Sequence, residues 1–435
     1  MTKHNILILG SGGREHALAS KINESPLLNK LFIAPGNGGT RLLGENVSIN
    51  IHDFTEVASF IQANDISLLI VGPEDPLVNG IHDYFSEKKE FDHLHVIGPK
   101  KQGAKLEGSK AFSKAFMFKH EIPTAKYLKV TKGSVKEGWK FLESLKAPFV
   151  LKADGLAAGK GVLIIDDLEQ AKRSLKEMLF DDLVGKAGAE VVIEEFLDGI
   201  EVSYFAITDG DNYVVLPEAK DYKRIGEADT GLNTGGMGSI SPVPFADEAF
   251  TGKVIEKIIK PTVNGLKSDG IEYTGFIFFG LIKVEGEPYV IEYNCRMGDP
   301  ETEVVFPRIT SDVVELFLKV KDKELNTYSI SSDPDNFACV ISVSGGYPGN
   351  YEKGKKITGI NNVTESTVFH AGTKHTGDSL YTNGGRVLAI TSKDSSLEGA
   401  LSKSYNSLKK IKFDYEYYRK DIGWEFIKKN KRNFL

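Results

Sequence analysis

A carboxylate and a carboxamide two residues apart, Glu292 and Asn294, sit in the run Val290-Ile291-Glu292-Tyr293-Asn294-Cys295-Arg296-Met297-Gly298-Asp299-Pro300-Glu301. On a strand of period two they point to one face. One carboxylate plus one amide oxygen suits a hard ion such as Mg²⁺ that bridges nucleotide phosphates, with waters completing the octahedron. Arg296 falls on the same face, where a guanidinium can stabilise negative charge developing on a transferred group. The competing reading is an edge strand with a polar outer face. Cys295 has no suitably placed His in the sequence and reads as packing.

Three other stretches carry chemistry. Lys152-Ala153-Asp154-Gly155-Leu156-Ala157-Ala158-Gly159-Lys160-Gly161 joins two apolar runs. Its glycines allow backbone amides to close over phosphate oxygens, and Lys152 can reach the same phosphates as a point charge. It is not a Walker A loop, since Gly161 follows Lys160 and no helix comes next; a hairpin tip in solvent is the alternative. Val191-Val192-Ile193-Glu194-Glu195-Phe196-Leu197 reads as a strand whose end can pair with adenine, with Glu201 able to accept from ribose hydroxyls, or else Glu194 and Glu195 are surface carboxylates. Gly10-Ser11-Gly12-Gly13-Arg14-Glu15 follows a strand and opens a helix, a context for phosphate at a helix N-terminus or for a tight turn without ligand. A dinucleotide site is rejected: Glu15 stands where the third glycine belongs, and the second strand ends Ala34-Pro35-Gly36-Asn37 with no acidic residue.

The elements that must position these residues follow from periodicity. Short apolar runs at 5–9, 31–34, 67–71 and 95–97 alternate with helical patterns and each closes in a glycine-bearing loop. That is the signature of βαβ units and a parallel sheet with its ligand crevice at the strand ends. From Ser109 the pattern changes to a helix (110–120), a hairpin (149–152 with 162–165), strands at 191–196, 202–208 and 212–217, a glycine-rich stretch at 226–238, a helix at 253–268 and strands at 275–284 and 289–294. Strands at 337–344, 368–371 and 386–391 and a helix at 395–409 make up the tail. The fold class is therefore α/β followed by α+β, in three domains: 1–108, 109–330 (with a lid subdomain at about 125–197) and 331–435.

Composition limits the function classes. Of 435 residues, 41% are apolar and 26% charged, enough for several cores and unlike a disordered chain. The net charge of −6 gives no global attraction for nucleic acid or an anionic membrane. Two cysteines cannot make a disulfide framework, no run is long and apolar enough to span a bilayer, and a cytoplasmic protein is expected. Glycine supplies 44 residues, about one in ten against about 7% in ordinary chains, which raises the number of loops available to ligands.

The order of these motifs resembles the ATP-grasp ligases, and among them the phosphoribosylamine–glycine ligase family. The resemblance is carried by Gly12-Gly13-Arg14-Glu15-His16-Ala17-Leu18, Ala34-Pro35-Gly36-Asn37, Val71-Gly72-Pro73-Glu74, Leu106-Glu107-Gly108-Ser109-Lys110, Lys152 to Gly161, Thr234-Gly235-Gly236-Met237-Gly238, Glu292 to Glu301 and Thr382-Asn383-Gly384-Gly385-Arg386-Val387. It implies a Rossmann-like first domain, a central ATP-grasp domain with a mobile lid, and a small C-terminal domain. It also implies ATP-dependent ligation of glycine to 5-phosphoribosylamine through a glycyl phosphate in purine synthesis, with one or two Mg²⁺ or Mn²⁺ ions.

By the same resemblance, Lys110, Lys152 and the loop with Gly155, Ala158, Gly159 and Gly161 hold nucleotide phosphates. Glu194, Glu195, Phe196 and Leu197 hold adenine, and Glu201 holds ribose. Glu292 and Asn294 are metal ligands, and Arg296 steadies the acyl phosphate, with Lys152 beside it as the second catalytic group. Gly12, Gly13, Asn37, Gly38 and Glu74 line the phosphoribosylamine crevice, while Asp221, Lys223, Arg224, Gly235, Gly236 and Asp299 face substrate. A monomer is implied, fed with its unstable amine by an upstream enzyme. Two departures are the Tyr222 where the family often has His, and the apolar Phe278-Phe279-Gly280-Leu281 where many ATP-grasp enzymes carry another acidic metal ligand. Ligation of another carboxylate or amine, or a nucleotide sensor without catalysis, are the competing functions.

Overall fold

The run Ile6–Leu9 has no polar alternation, so both of its faces must be covered. In the computed structural model, which describes residues 2–155, 161–181 and 190–427, it forms the centre of a parallel sheet. Strands β1 (His4–Gly10), β2 (Leu28–Pro35), β3 (Glu45–Asn46), β4 (Ile66–Val71) and β5 (His95–Ile97) lie in the order β3-β2-β1-β4-β5. Helices α1 (Gly13–Ile22), α2 (Phe54–Ala63), α3 (Glu74–Val78), α4 (Ile81–Ser86) and α5 (Lys101–Gly108) surround it. The strand order reverses beside β1, so the loops after β1, β2 and β4 border the crevice expected at a switch point. Ile6 and Ile8 share a core with Phe278, Val340 and Leu388, whereas Leu7 and Leu9 share another with Phe279 and Tyr293. The first sheet is thus packed into the rest of the chain on both faces.

Helix α6 (Lys110–Lys119) leads to a four-stranded antiparallel sheet of β6 (Tyr127–Thr131), β7 (Phe149–Ala153), β8 (Val162–Ile165) and β9 (Glu190–Glu195), ordered β6-β9-β7-β8. Helices α7 (Val135–Ser144) and α8 (Leu168–Phe180) cover one face and enclose a small separate core with Val130, Leu142, Leu151, Leu175 and Ile193.

Strands β10 (Ile200–Thr208), β11 (Tyr213–Asp221), the hairpin β12 (Arg224–Gly226) and β13 (Thr230–Asn233), β14 (Gly238–Ser241), β15 (Gly275–Val284) and β16 (Glu287–Asn294) follow. The helical pattern at 253–268 is realised as α9 (Glu248–Val254), one π turn over Ile255–Ile259, and α10 (Lys260–Ser268). After α11 (Thr302–Arg308) and α12 (Val313–Lys321) come β17 (Asn336–Val343), β18 (Lys356–Ile357), β19 (Thr367–His370), β20 (Thr373–Thr376), β21 (Ser379–Thr382), β22 (Arg386–Asp394) and α13 (Leu397–Leu408).

The tail does not stand apart as its sequence pattern implied. One eight-stranded sheet runs β16-β15-β10-β11-β14-β17-β22-β19, because β14 pairs on one side with β11 and on the other with β17, Gly238 lying opposite Val340. Tyr222 also belongs to this junction: it is buried, and its hydroxyl donates to Glu425 at 3.1 Å. The departure from His at that position serves packing of the tail.

Candidate active site

Three charged side chains meet where the four-stranded sheet approaches α6. Glu194 on β9 is buried and forms ion pairs with Lys152 at 3.0 Å and with Lys114 at 2.9 Å. Lys114 is itself only 2% exposed and also donates to Thr124 at 2.7 Å. Burial is the largest influence on Glu194 and opposes its ionisation, but Lys152 and Lys114 together hold its carboxyl below the usual range. Burial lowers Lys114 to about 8, since one carboxylate serves two ammonium groups. The Glu194 side chain is turned inward to these lysines, away from the strand end where adenine is expected. Glu195 is likewise engaged, accepting from the Lys126 amide at 2.9 Å. Phe196, more than a third exposed, and the half-buried Leu197 remain at the strand end.

Lys110 donates to the Gly155 carbonyl at 2.9 Å, and Asp154 accepts from Ser109 and the Ala111 amide, so the start of the glycine loop is pinned to the N-terminus of α6. Ala158 and Gly159 lie outside the described residues; Gly161 is the residue at which the description resumes, just before β8. Glu201 pairs with Lys223 at 2.8 Å. Nearby Asp221 is raised by burial and by the carboxylates of Glu201 and Glu292. Arg224 does not join them: its guanidinium donates to the Gly231 carbonyl of its own hairpin.

At the end of β16, Tyr293 is buried while Glu292 is exposed and Asn294 half-buried, as period two requires. Glu292 makes no hydrogen bond or ion pair among the described residues, and its cross-strand neighbour is Gly280, which offers no third ligand. No three His, Cys, Asp or Glu side chains among the described residues converge as a metal cage. A free carboxylate and one amide fit a hard ion whose remaining positions are filled by phosphates and water.

Arg296 lies two residues beyond the end of β16. It bridges two carboxylates of the first domain, Glu107 at 2.7 Å and Glu74 at 3.3 Å, and Glu74 is held below its usual range by it despite burial. Burial and Glu107 push the Cys295 thiol well above its ordinary value, so the packing role holds.

The glycine cluster after β1 is filled from within the protein. Glu15 folds back so that one oxygen accepts from the Gly12 amide at 2.6 Å and the other from Arg14 Nε at 2.6 Å. Gly10 adopts φ +127°, and a Cβ there would collide with the Glu15 side chain. Asp299 accepts from the Arg14 amide at 3.5 Å, and Gly13 leaves space for the buried Glu303. Carboxylates lie at the N-terminal end of α1, the arrangement the helix dipole favours.

The open space lies alongside: a cleft of about 770 Å³ walled by Gly12, Gly36–Gly38 and Arg41 on one side and by Lys374, His375, Asn383 and Arg386 on the other, with Asp299 at its inner edge. Gly12, Asn37 and Gly38 of the expected crevice line it, as does Asp299; Gly13 and Glu74 do not. Asn37 spends its side chain on structure. Its amide donates to the carbonyls of Ser11, Gly12 and His370, and its oxygen accepts from Gly39 and Thr40. Arg386 pairs with Asp299 at 3.0 Å and donates to the Gly235 carbonyl at 2.6 Å, while Gly236 packs on Pro300. The cations Arg41, Lys374 and Arg386 were missed because they come from distant segments; the Asn-Gly-Gly-Arg turn ending at Arg386 was their visible signal.

Glu301, two residues beyond Asp299, is buried and accepts from Ser203 at 3.1 Å. Burial, then Asp221, raises it to about 7. An unfolded glutamate titrates near about 4.3, so the folded protein binds the extra proton between those values. Stability from this group is full below about pH 4.3 and is lost as pH rises toward 7. Urea unfolding of the ligand-free protein should show Glu301→Gln removing up to about 3 kcal/mol of the stability decline between pH 5 and 7.5. An unaltered decline would show that Glu301 is ionised throughout.

Known proteins align with this architecture over its whole length. Family models match residues 4–107 (phosphoribosylglycinamide synthetase, N domain), 108–302 (its ATP-grasp (A) domain) and 337–425 (its C domain). The chain is 45% identical to the phosphoribosylamine–glycine ligase of Pasteurella multocida over 99% of this chain and 100% of that one, and 45% identical to that of Vibrio vulnificus over 97% and 98%. The crystal structure of the Thermotoga maritima phosphoribosylamine–glycine ligase superposes with a TM-score of 0.83 at 34% identity, covering 96% of this chain and 99% of that one. The biotin carboxylase domain of Hydrogenobacter thermophilus 2-oxoglutarate carboxylase, at 17% identity and a TM-score of 0.70, shares the fold. With all three domains matched in order and relatives alike from end to end, the chain belongs to the phosphoribosylglycinamide synthetase family.

Proposed function

We propose that this protein joins glycine to 5-phosphoribosylamine with ATP, giving glycinamide ribonucleotide, ADP and phosphate in purine synthesis. The carrying observation is the segment from Glu292 to Asp299, whose one end presents a free carboxylate and an amide and whose other end borders the cationic cleft. The eight-residue separation supports a reading in which nucleotide-side and amine-side chemistry meet there. The N, A and C domain matches and the names of the full-length relatives support the same reading.

In this reading Lys110 and Lys152 receive the nucleotide phosphates, with the lysine counter-ion Glu194 holding Lys152 in place. Glu292 and Asn294 would hold Mg²⁺ or Mn²⁺, which would supply neutralisation of charge on the phosphates. A glycine carboxylate oxygen takes the γ-phosphoryl group and ADP leaves. Arg296, kept charged by Glu107 and Glu74, faces the resulting acyl phosphate. The amine of phosphoribosylamine, whose phosphate lies against Arg41, Lys374 and Arg386, then attacks the acyl carbon and phosphate departs. The protein works as a monomer. No described helix is long and apolar enough to cross a membrane.

ADP formation by the purified protein should require both glycine and freshly made phosphoribosylamine. ATP turnover indifferent to glycine would refute the ligase reading. Turnover with a different amine in place of phosphoribosylamine would redirect it to another ligation.

A further inference from the structure

We infer that Glu107 is a positioning residue that fixes the amide of Asn294, turning its oxygen away from the first domain, and at the same time aims Arg296. The inference rests on the assignment of Glu292 and Asn294 as cation ligands.

Glu107 ends α5 of the first domain, and its side chain is 6% exposed. It reaches across 188 residues of sequence to the end of β16, where it meets only donors. The Cys295 amide donates at 2.8 Å, the Cys295 thiol at 3.1 Å and Arg296 Nη2 at 2.7 Å. The Asn294 amide has one orientation in which its nitrogen finds acceptors, donating to Glu107 Oε1 at 2.9 Å and to the Tyr293 carbonyl at 3.3 Å. A carboxylate can accept all four bonds because it offers about four lone-pair sites and no hydrogen. Once the nitrogen is committed to Glu107, the oxygen of Asn294 is the atom left for a cation.

This decides a choice that an amide otherwise leaves open. An asparagine free to rotate presents NH₂ to a cation as readily as oxygen, and only the oxygen binds. A buried acceptor behind the nitrogen removes the wrong orientation before the ion arrives, as partners behind metal ligands do elsewhere. Glu107 also ties the position of Arg296 to the same carboxylate, so one residue of the first domain sets two groups of the central one.

A glutamine at 107 would bring an NH₂ group into a ring of donors. One of them must turn away, and Asn294, half-buried, is the free one. The test is binding of Mn²⁺ to the full-length protein in the presence of ADP, followed by electron paramagnetic resonance, with thermal melting as a folding check. Glu107→Gln should weaken Mn²⁺ by about 10–100-fold. Asn294→Asp alone should also weaken it, despite the added charge, because two carboxylates would face each other. The double variant exchanges amide and carboxylate, restores one donor to one acceptor, and should return Mn²⁺ affinity to within a few-fold of wild type.

Unchanged Mn²⁺ binding by Glu107→Gln, tighter binding by Asn294→Asp, or a double variant no better than Glu107→Gln would each overturn the inference. If variants at 107 do not fold, Asn294→Asp alone decides, since tighter binding contradicts it and weaker binding supports it. A Glu292→Gln arm separates the two readings. Undiminished Mn²⁺ binding there would fault the cation site itself, whereas weakening by Glu292→Gln but not by Glu107→Gln would fault only the role of Glu107.

Discussion

Replacing Arg296 by Met should lower kcat by about 10³-fold and destabilise the fold by about 3 kcal/mol, whereas Arg296→Lys should recover most of the stability and little of the rate. The split follows from geometry. Arg296 spans two carboxylates through different nitrogens, Nη2 to Glu107 and Nε to Glu74, and its Nη1 reaches the Met297 carbonyl at 3.3 Å. Met leaves Glu107 in a site it shares with no cation, which is the costly half of a broken buried pair. Lys restores the charge but is a point donor on a flexible stem, unable to bridge both carboxylates while facing an acyl phosphate. Urea unfolding and ADP formation at saturating substrates measure the two effects. A Lys variant retaining more than about a tenth of wild-type kcat would deny any need for the planar fork, and a Met variant of unchanged stability would deny the bridge.

The elements that hold Arg296 were readable in sequence, but its partners were not. Four of the five strands of the first sheet and the β15–β16 hairpin follow from apolar runs and glycine-bearing ends, because local pattern decides them, whereas the two-residue β3 (Glu45–Asn46) carries no apolar run to announce it. The pair Glu292 and Asn294 was visible for the same reason: period two is a local property. Glu107, Glu301 and Lys114 depend on which surfaces meet, and no spacing announces that. Lys114 lies on α6 between Lys110 and Lys119, where a lysine every four or five residues reads as a solvated face; burial comes only from the four-stranded sheet lying against it. The carboxylate at the start of α1 did have a local signal. Glu15 stands three residues after the N-cap Gly12, the position from which a glutamate reaches back to the cap amide. A carboxylate there takes the Gly12 amide that the glycine run offers to an anion. The length of the tail, likewise, gave no sign that β14 would join its sheet to the central one.

Glu194→Gln should be the most damaging single change at the lysine cluster, costing about 3–5 kcal/mol and about 10²-fold in kcat/KM for ATP; Lys114→Met should cost less and should partly rescue Glu194→Gln. Two ammonium groups share one buried carboxylate. Removing the carboxylate leaves them facing each other out of water, while removing Lys114 leaves a balanced pair of Glu194 and Lys152. The rate falls because Lys152, released from Glu194, no longer stands where the phosphates arrive. The deficit should depend on pH in a defined way. Glu194 is held below its unfolded value near about 4.3, so its stabilisation of the wild type is present above that value and fades as pH falls. Lys114 titrates at about 8 in the fold, below its unfolded value, so stability from deprotonating it rises with pH. In the Gln variant that rise begins at lower pH, because the counter-ion is gone. The difference between wild type and Glu194→Gln is therefore greatest near neutrality and narrows toward both pH 4 and pH 9.5. Unfolding curves of the four proteins of the cycle at three pH values test this. A double variant as unstable as the sum of the single ones, or a deficit flat with pH, would show that Glu194 is not the shared counter-ion of Lys114 and Lys152.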